Sequence, residues 1–472
     1  MKVTGRAAVA IVALVFAATQ SWLTRFKRTK TDAKSLHIAI ESNACAFLSR
    51  PPPAAPLRHR RLVRDPLSPE EVNGEAAALR QEQRRTAERL SSSGADPAQL
   101  RAFPKGSSDG ACVNGADPDS KATSGTWAGM AEAAVVMVTF DRADYLGCAL
   151  QDLLAVRARF PNAGELYPAF VSQDGDAAGV QAVVRRHLDR VRYLEHAPDR
   201  PIRAPSAREK VAYYRIAQHY KFLLKTLFDC FGFPRVIVVE DDMRFAPDFF
   251  AYFDALAPVL DEDSSLLCAS AWNDNGMPGL VSEPTAVERS DFFPGLGWMT
   301  TRSVWRGLRG RWPAGYWDDW LRTPEVRQGR QCLRPEVART SNFGRAGSSE
   351  GQYFDAYIAP IQRAAVEVNW GGVDLEYLVK DAYEARMQSK IAAGKVVESL
   401  DDALAALPEE AGAGGFIVAY EGQEEYSVLA RRLKILPEFK GDAPRVAYAG
   451  IVMLRTPYGA PLLLVPRSRL AY

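Results

Sequence analysis

The run Val236-Ile237-Val238-Val239, followed at once by Glu240-Asp241-Asp242, decides the fold. Four consecutive β-branched residues do not alternate between core and water, so the strand they form is buried on both faces, as in parallel sheets. An acidic triplet at the end of such a strand is costly. Like charges 4 Å apart repel by about 4 kcal/mol at an effective dielectric near 20. A hard divalent cation removes that cost and takes carboxylate oxygen readily. For the triplet alone, a solvated acidic turn is the plainer alternative.

The flanking sequence repeats the pattern. Residues 133–140 are a second continuous apolar run, followed by Asp141-Arg142 and a helical periodicity over 145–156. Residues 167–172 read as another strand, ending in Gln173-Asp174-Gly175. A helix over 180–188, a short strand over 190–194 and a long helix over 210–231 follow. The long helix carries Tyr213, Ile216, Tyr220 and Leu223 along one side. This alternation predicts an α/β fold with a doubly wound, mostly parallel sheet, in which ligands bind beyond the carboxyl ends of the strands. Three strands end there in polar groups: Asp141-Arg142, Gln173-Asp174 and Glu240-Asp241-Asp242. No GxGxxG and no GxxxxGK[ST] occurs, so neither a dinucleotide fingerprint nor a P-loop is supported.

Composition narrows the function classes. The chain has 472 residues, 59 Lys+Arg, 57 Asp+Glu and a net charge of +2. At 47% hydrophobic and 25% charged residues it is mostly ordinary globular protein, long enough for about three domains. Six Cys without CxxC exclude a disulfide-dense scaffold, and five His without HxxxH argue against zinc. Residues 24–105 carry +7, and 106–472 carry −7. An acidic body argues against nucleic-acid binding.

Residues 7–23 are the one segment apolar enough to enter a bilayer, which excludes a multi-span transporter. Seventeen residues is the short limit for a span, and Arg25, Lys27, Arg28 and Lys30 follow it. We expect a signal anchor over 1–23; the alternative is a cleaved signal peptide cut near Ala17 and Ala18. Either sends the body into the secretory pathway, where no Asn-x-Ser/Thr sequon marks it for N-glycosylation. Residues 24–125 read as a stem, with Pro51, Pro52, Pro53 and Pro56, a helical stretch opened by Ser68-Pro69, and a Gly/Ser/Asp-rich linker over 106–124. The body divides into 130–360 and a smaller α+β region over 361–472. That region closes in a hairpin, 446–455 and 461–466, turned by Thr456-Pro457-Tyr458-Gly459.

A second acidic cluster is Tyr316-Trp317-Asp318-Asp319-Trp320. Tryptophan offers a flat apolar wall for a sugar face. A carboxylate among indole rings loses hydration and becomes a better base. Core tryptophans with exposed aspartates are the alternative. Residues 270–276 and 291–298 add a Trp/Asn/Asp cluster and a loop with two glycines.

In order along the chain, VVEDDMRFAPDFF (238–250), SAWNDNG (270–276), DFFPGLGW (291–298), WDDW (317–320), PEVRQGRQC (324–332), RPEVART (334–340) and FGRAGSSEGQYFD (343–355) resemble the alpha-1,3-mannosyl-glycoprotein 2-beta-N-acetylglucosaminyltransferase (N-acetylglucosaminyltransferase I) family. The resemblance covers about residues 133–470. It implies a GT-A-like nucleotide-sugar domain in a single-pass type II protein of the Golgi membrane, with the catalytic domain lumenal. It implies an inverting transfer of GlcNAc from UDP-GlcNAc to a mannose 2-hydroxyl of an N-glycan, with Mn²⁺ as cofactor. By the same resemblance Asp242 ligates the metal, and Asp241, Arg142, Asp174 and His219 form the UDP pocket. Glu240, Leu296 and Trp317 border the GlcNAc, Asp318 is the catalytic base, and Ser349 reaches the diphosphate. His219 could instead be a packed core histidine.

Departures from the family sit at Phe140 and Gly175, where animal members pair two cysteines, and at Glu350, where the family has His. A second family pair maps to Cys268 and Cys332, expected to be bonded in an oxidising lumen. Cys148 and Cys230 are expected to be buried free thiols. Residues 395–415 match the family poorly and are expected in a peripheral loop or helix. Two alternatives remain open: the same donor with another acceptor, such as protein O-mannose, or a non-catalytic lumenal protein that binds a sugar nucleotide.

Overall fold

A computed structural model describes residues 131–470 of the chain, except Ser349 and Gly441. The expected anchor (1–23) and stem (24–125) lie outside the described residues. Among those described, no helix is long and apolar enough to cross a membrane.

The first half follows the strand–helix alternation. Strand β1 (Ala134–Thr139), helix α1 (Ala143–Arg157), β2 (Ala169–Asp174), α2 (Ala178–Arg185), β3 (Val191–His196), α3 (Val211–Lys225) and β4 (Arg235–Glu240) succeed one another. Ala134, Val135, Val136 and Met137 are all fully buried, so both faces of β1 are covered, as the unbroken apolar run demands. One face packs on Ala217, Leu223 and Leu224 of α3. The α-helical part of the long 210–231 stretch stops at Lys225 and continues as a wider π-helical turn over Thr226–Cys230.

After β4 come β5 (Met243–Phe245), α4 (Phe249–Glu262), β6 (Leu266–Ser270), β7 (Val287–Ser290), β8 (Trp298–Thr301), the short helix α5 (Trp317–Arg322), β9 (Gln331–Pro335) and β10 (Thr340–Asn342). Eight strands form one sheet in the order β3-β2-β1-β4-β8-β6-β9-β7. Pairing is parallel from β3 to β4. Beyond β4 the sheet is mixed: β8 runs antiparallel to β4 and β6, β7 is antiparallel to β9, and β6 and β9 are parallel. The parallel arrangement therefore holds on the side where strand and helix alternate strictly. It lapses where β8 inserts between β4 and β6 and runs against both.

Cys268 on β6 lies opposite Cys332 on β9, and the two are joined by a disulfide with Cα atoms 4.6 Å apart. Cys148 and Cys230 are each engaged in a disulfide as well, which corrects their expected free-thiol state. Burial on α1 did not distinguish a thiol from a half-cystine, because both are small and apolar.

The C-terminal part adds α6 (Lys380–Ala393), β11 (Lys395–Val396), β12 (Phe416–Tyr420), α7 (Gly422–Leu433), the small pair β13 (Phe439–Lys440) and β14 (Ala443–Pro444), β15 (Val452–Arg455) and β16 (Pro461–Pro466). A four-stranded sheet runs β11-β12-β16-β15. The hairpin β15–β16 is antiparallel, as its turn sequence predicts, but its first strand begins only at Val452. Val446, Ala449 and Gly450 take positive φ and break the strand before that point.

Candidate active site

Glu240 ends β4, and the chain turns at Asp241 and Asp242 into β5. Thr139 at the end of β1 donates its hydroxyl to Asp241 at 2.7 Å. Arg142, just before α1, bonds Asp241 and reaches Asp242 at 2.9 Å. Asn342 on β10 donates to the other Asp242 oxygen at 2.8 Å. Asn342 can do so because β10 pairs with β5 and sets Asn342 opposite Met243. The next loop closes over this carboxylate. A Cβ at Gly344 would lie 2.1 Å from Asp242 Oδ2, so only glycine lets the backbone pass.

The electrostatics follow from burial. Burial raises the pKa of Glu240, and the Asp242 charge adds to it. Burial likewise raises Asp241, against the opposing pull of Arg142. Burial alone would lower Arg142, yet Asp241 and Asp242 more than reverse this and hold it firmly charged. The triplet is thus a concentration of negative charge balanced by a single guanidinium.

Tyr220 on α3 joins the two acidic clusters. Its hydroxyl donates to Glu240 at 3.1 Å, and its ring stacks on Trp317 with centroids 4.2 Å apart. Burial raises the Tyr220 pKa well above its ordinary value, and the charges of Glu240, Asp318 and Asp242 raise it further. The two acid clusters, some 75 residues apart in sequence, therefore act on one buried phenol.

Trp317 itself is a core residue. It is buried, stacked between Tyr220 and the rings of Trp298 and Trp312. Its faces are covered, which corrects the expectation of a free wall for a sugar. Asp318 is not held among indole rings either. Its side chain is 40% exposed, and Arg322 bonds it at 2.7 Å. Arg322 also reaches Asp319, on which Lys440 of β13 converges from the C-terminal part. Both carboxylates are partly exposed, and Asp318 is the one whose charge reaches the phenol that borders the triplet. Leu296 sits between two positive-φ glycines and itself takes φ 47°. Its carbonyl accepts the Thr340 hydroxyl at 2.8 Å, which ties this strained loop to β10.

At the end of β2, Asp174 accepts from His196 Nδ1 at 2.7 Å and from Arg215 Nε at 3.0 Å. Burial alone would raise its pKa, but the His196 bond, with Arg215, outweighs it and keeps the carboxylate ionised. His219 is buried against Ser172 at 2.7 Å and stacks on His196, with centroids 5.3 Å apart. Burial lowers its pKa to about 3, so it is neutral. His219 thus supports Asp174 through His196 and does not line an open surface. Ser349 lies outside the described residues, and its neighbour Glu350 pairs with Lys210 at 2.7 Å.

Asn342, Tyr220, His196 and Arg215 were not among the residues singled out from sequence. Tyr220 was visible only as part of the apolar stripe of α3, and Asn342 as the residue before the Phe343-Gly344 motif. A surface groove of about 640 Å³ shares none of its lining residues with this constellation.

Among the described residues no group of three or more acidic, His or Cys side chains is placed to cage a metal ion. Asp242 offers a carboxylate against the closely passing backbone of Gly344, held by Arg142 and Asn342. This donor set fits a hard cation that takes its remaining ligands from phosphate oxygens and water.

A profile of the GNT-I family matches residues 70–471. An Arabidopsis thaliana protein named alpha-1,3-mannosyl-glycoprotein 2-beta-N-acetylglucosaminyltransferase is 42% identical over 328 residues, 69% of this chain and 72% of the relative. Among solved structures, the mannosyltransferase PcManGT from Pyrobaculum calidifontis, in complex with GDP-Man and Mn²⁺, shares 14% identity over 54% of this chain and 63% of its own, with a TM-score of 0.28. TarS 1–349 of S. aureus shares 10% over 44% and 59%, with a TM-score of 0.29. The chain matches less than two thirds of either structure, and both likenesses are too slight to bear on its chemistry. The profile match over most of the chain, with 42% identity to the Arabidopsis relative, shows that this chain belongs to the GNT-I family.

Proposed function

We propose that this protein transfers GlcNAc from UDP-GlcNAc to the 2-hydroxyl of an α-1,3-linked mannose on a high-mannose N-glycan, with inversion at the anomeric carbon. The observation that carries this reading is Tyr220, which hydrogen-bonds the acidic triplet, stacks on Trp317 and feels the charge of Asp318. A base and a phosphate-side carboxylate that serve one donor sugar would both act on this phenol, as Asp318 and Asp242 do.

Asp242, with Arg142 near it, holds the diphosphate end. A Mn²⁺ ion bound at Asp242 would supply positive charge to the departing diphosphate. Asp318 accepts the proton of the mannose 2-hydroxyl as that oxygen bonds to C1 of GlcNAc. The bond from C1 to the diphosphate oxygen breaks on the opposite face. Arg322 holds Asp318 in place from its own helix, one turn on. No enzyme nucleophile is needed, because a single displacement forms no covalent intermediate.

Disulfide-bonded cysteines at four described positions fit an oxidising compartment. With the basic, apolar N-terminus, they support a type II Golgi protein whose body faces the lumen.

The test is a transfer assay with UDP-GlcNAc and a five-mannose N-glycan, with Mn²⁺ and with chelator. Transfer is expected only with the metal. Asp318→Asn is expected to lower kcat by roughly 10²–10⁴ while UDP affinity holds. Normal turnover by that variant would remove Asp318 from the base role. Transfer to an O-mannosyl peptide but not to the glycan would move the acceptor class.

A further inference from the structure

The helix that carries Asp318 holds an imbalance of charge it does not resolve by itself. Arg322 is nearly buried: its Nε donates to the Phe293 carbonyl at 3.1 Å, and its guanidinium lies 4.8 Å from the centre of the Phe292 ring. One nitrogen, Nη1, serves both Asp318 at 2.7 Å and Asp319 at 3.0 Å. On α5, then, one positive charge faces two negative ones. The second cation comes from the C-terminal part. Lys440 on β13 reaches, at 3.4 Å, the same Asp319 oxygen that Arg322 holds.

The setting of Lys440 fixes that reach. Glu438, just before β13, and Arg445, just after β14, pair at 2.9 Å and close the base of this small hairpin. Arg445 also bonds Asp274 at 3.3 Å and lies 5.2 Å from the Phe292 ring centre. Phe292 therefore packs against both the arginine that closes the hairpin and the arginine that aims Asp318. Phe439, next to Lys440, packs on Tyr426 of α7, with ring centroids 5.4 Å apart.

We propose that Lys440 is a positioning residue for the transfer: by neutralising Asp319 it leaves Arg322 committed to Asp318 and keeps that carboxylate aimed as the base. This rests on the reading of Asp318 as the base. With Lys440 in place, two cations meet two carboxylates. Without it, Asp319 competes with Asp318 for Arg322. The excess negative charge is then relieved when a proton settles on one carboxylate or when one turns out to water. Either outcome leaves fewer molecules with Asp318 ready to accept the proton of the attacking hydroxyl. Tyr220, the other titratable group on which Asp318 acts, is neutral and does not change this balance.

The experiment is steady-state transfer from UDP-GlcNAc to the five-mannose N-glycan, with Mn²⁺, by the wild type, Lys440→Met, Lys440→Arg, the double variant Lys440→Met/Asp319→Asn and Asp318→Asn, with melting temperatures recorded for each. Lys440 and Asp319 are both partly exposed, so native-like melting is expected. Lys440→Met should lower kcat about three- to tenfold while the KM for each substrate holds. Lys440→Arg should keep kcat near wild type. The double variant should recover it, because removing the Asp319 charge leaves one cation facing one carboxylate. A merely structural role for Lys440 would not be rescued by a second substitution at Asp319. Wild-type kcat in Lys440→Met, or no recovery in the double variant, would overturn the proposal. So would a raised acceptor KM with kcat unchanged, which would make Lys440 an acceptor contact. Normal turnover by Asp318→Asn would instead overturn the base reading itself.

Discussion

Glu240 carries a conflict between burial and charge, because it lies beside Asp241 and Asp242 and gains only one hydroxyl donor. Its pKa is raised by burial, with the Asp242 charge adding to the shift. The native state therefore keeps a proton that the unfolded chain has already lost, and stability falls as pH rises from the ordinary carboxylate range through the raised pKa. Each unit of that shift costs about 1.4 kcal/mol at high pH. His219 works in the opposite sense, since its lowered pKa makes stability grow as pH rises towards the ordinary histidine range. Comparing Glu240→Gln with wild type cancels the histidine. In metal-free protein this variant should raise the melting temperature more at pH 8.5 than at pH 5. A difference independent of pH would show that Glu240 is not a strained charge. At this scale the acids were legible in the sequence because a carboxylate at the end of an apolar strand has few reasons to be there. Trp317 was misread because a ring stacked in a core and a ring offered to a sugar have the same sequence signature. Tyr220 stayed hidden because its role depends on a contact between α3 and β4.

The strands β1, β2 and β4 were legible because an unbroken apolar run buried on both faces has one common setting, a parallel sheet between helix layers. The antiparallel β8 was not, since Trp298–Thr301 is too short to show a period and its direction depends on the loop before it. That loop, with Leu296 at positive φ, turns the chain back so that Thr301 faces Arg235. Strand β9 is then placed beside β6 and fastened there by Cys268–Cys332, which closes a segment of 64 residues containing β7, β8 and α5. A loop of that length loses enough unfolded-state entropy to stabilise the fold by about 4 kcal/mol in the chain-entropy model. Replacing both cysteines by alanine should lower the free energy of unfolding in urea by about that amount, chiefly as a lower midpoint. The asparagine, base and loop of the candidate site all lie in or just beyond this segment, so donor binding should weaken with it. A midpoint within error of wild type would show that packing alone sets the register of β9.

The two sheets belong to one compact unit, and their packing argues that they fold together. A single buried cluster joins Trp272, Met277 and Leu280, from the loop after β6, to Phe416, Ile435 and Leu462 of the C-terminal part. Polar ties cross the same boundary: Arg334 on β9 donates to the Val446 carbonyl, and Arg455 on β15 grips Glu336 through two bonds of 2.9 and 3.0 Å. Arg334 is almost wholly buried, so losing its partner would strand a guanidinium in the core. Ending the chain at residue 394 would uncover Trp272, Met277 and Leu280 and remove these partners together. Truncating one such side chain costs about 2–5 kcal/mol, against a total stability of about 5–15 kcal/mol for a domain. The shortened protein should therefore fail to show a native melting transition and should not bind UDP, whereas the intact chain should give one calorimetric transition for both sheets. Lys440 and Arg445 add a functional reason for the same dependence, since one reaches Asp319 beside the candidate base and the other Asp274 of the 270–276 segment. A truncated chain that melts like the intact one and retains UDP affinity would refute the coupling and make the C-terminal sheet an independent appendage.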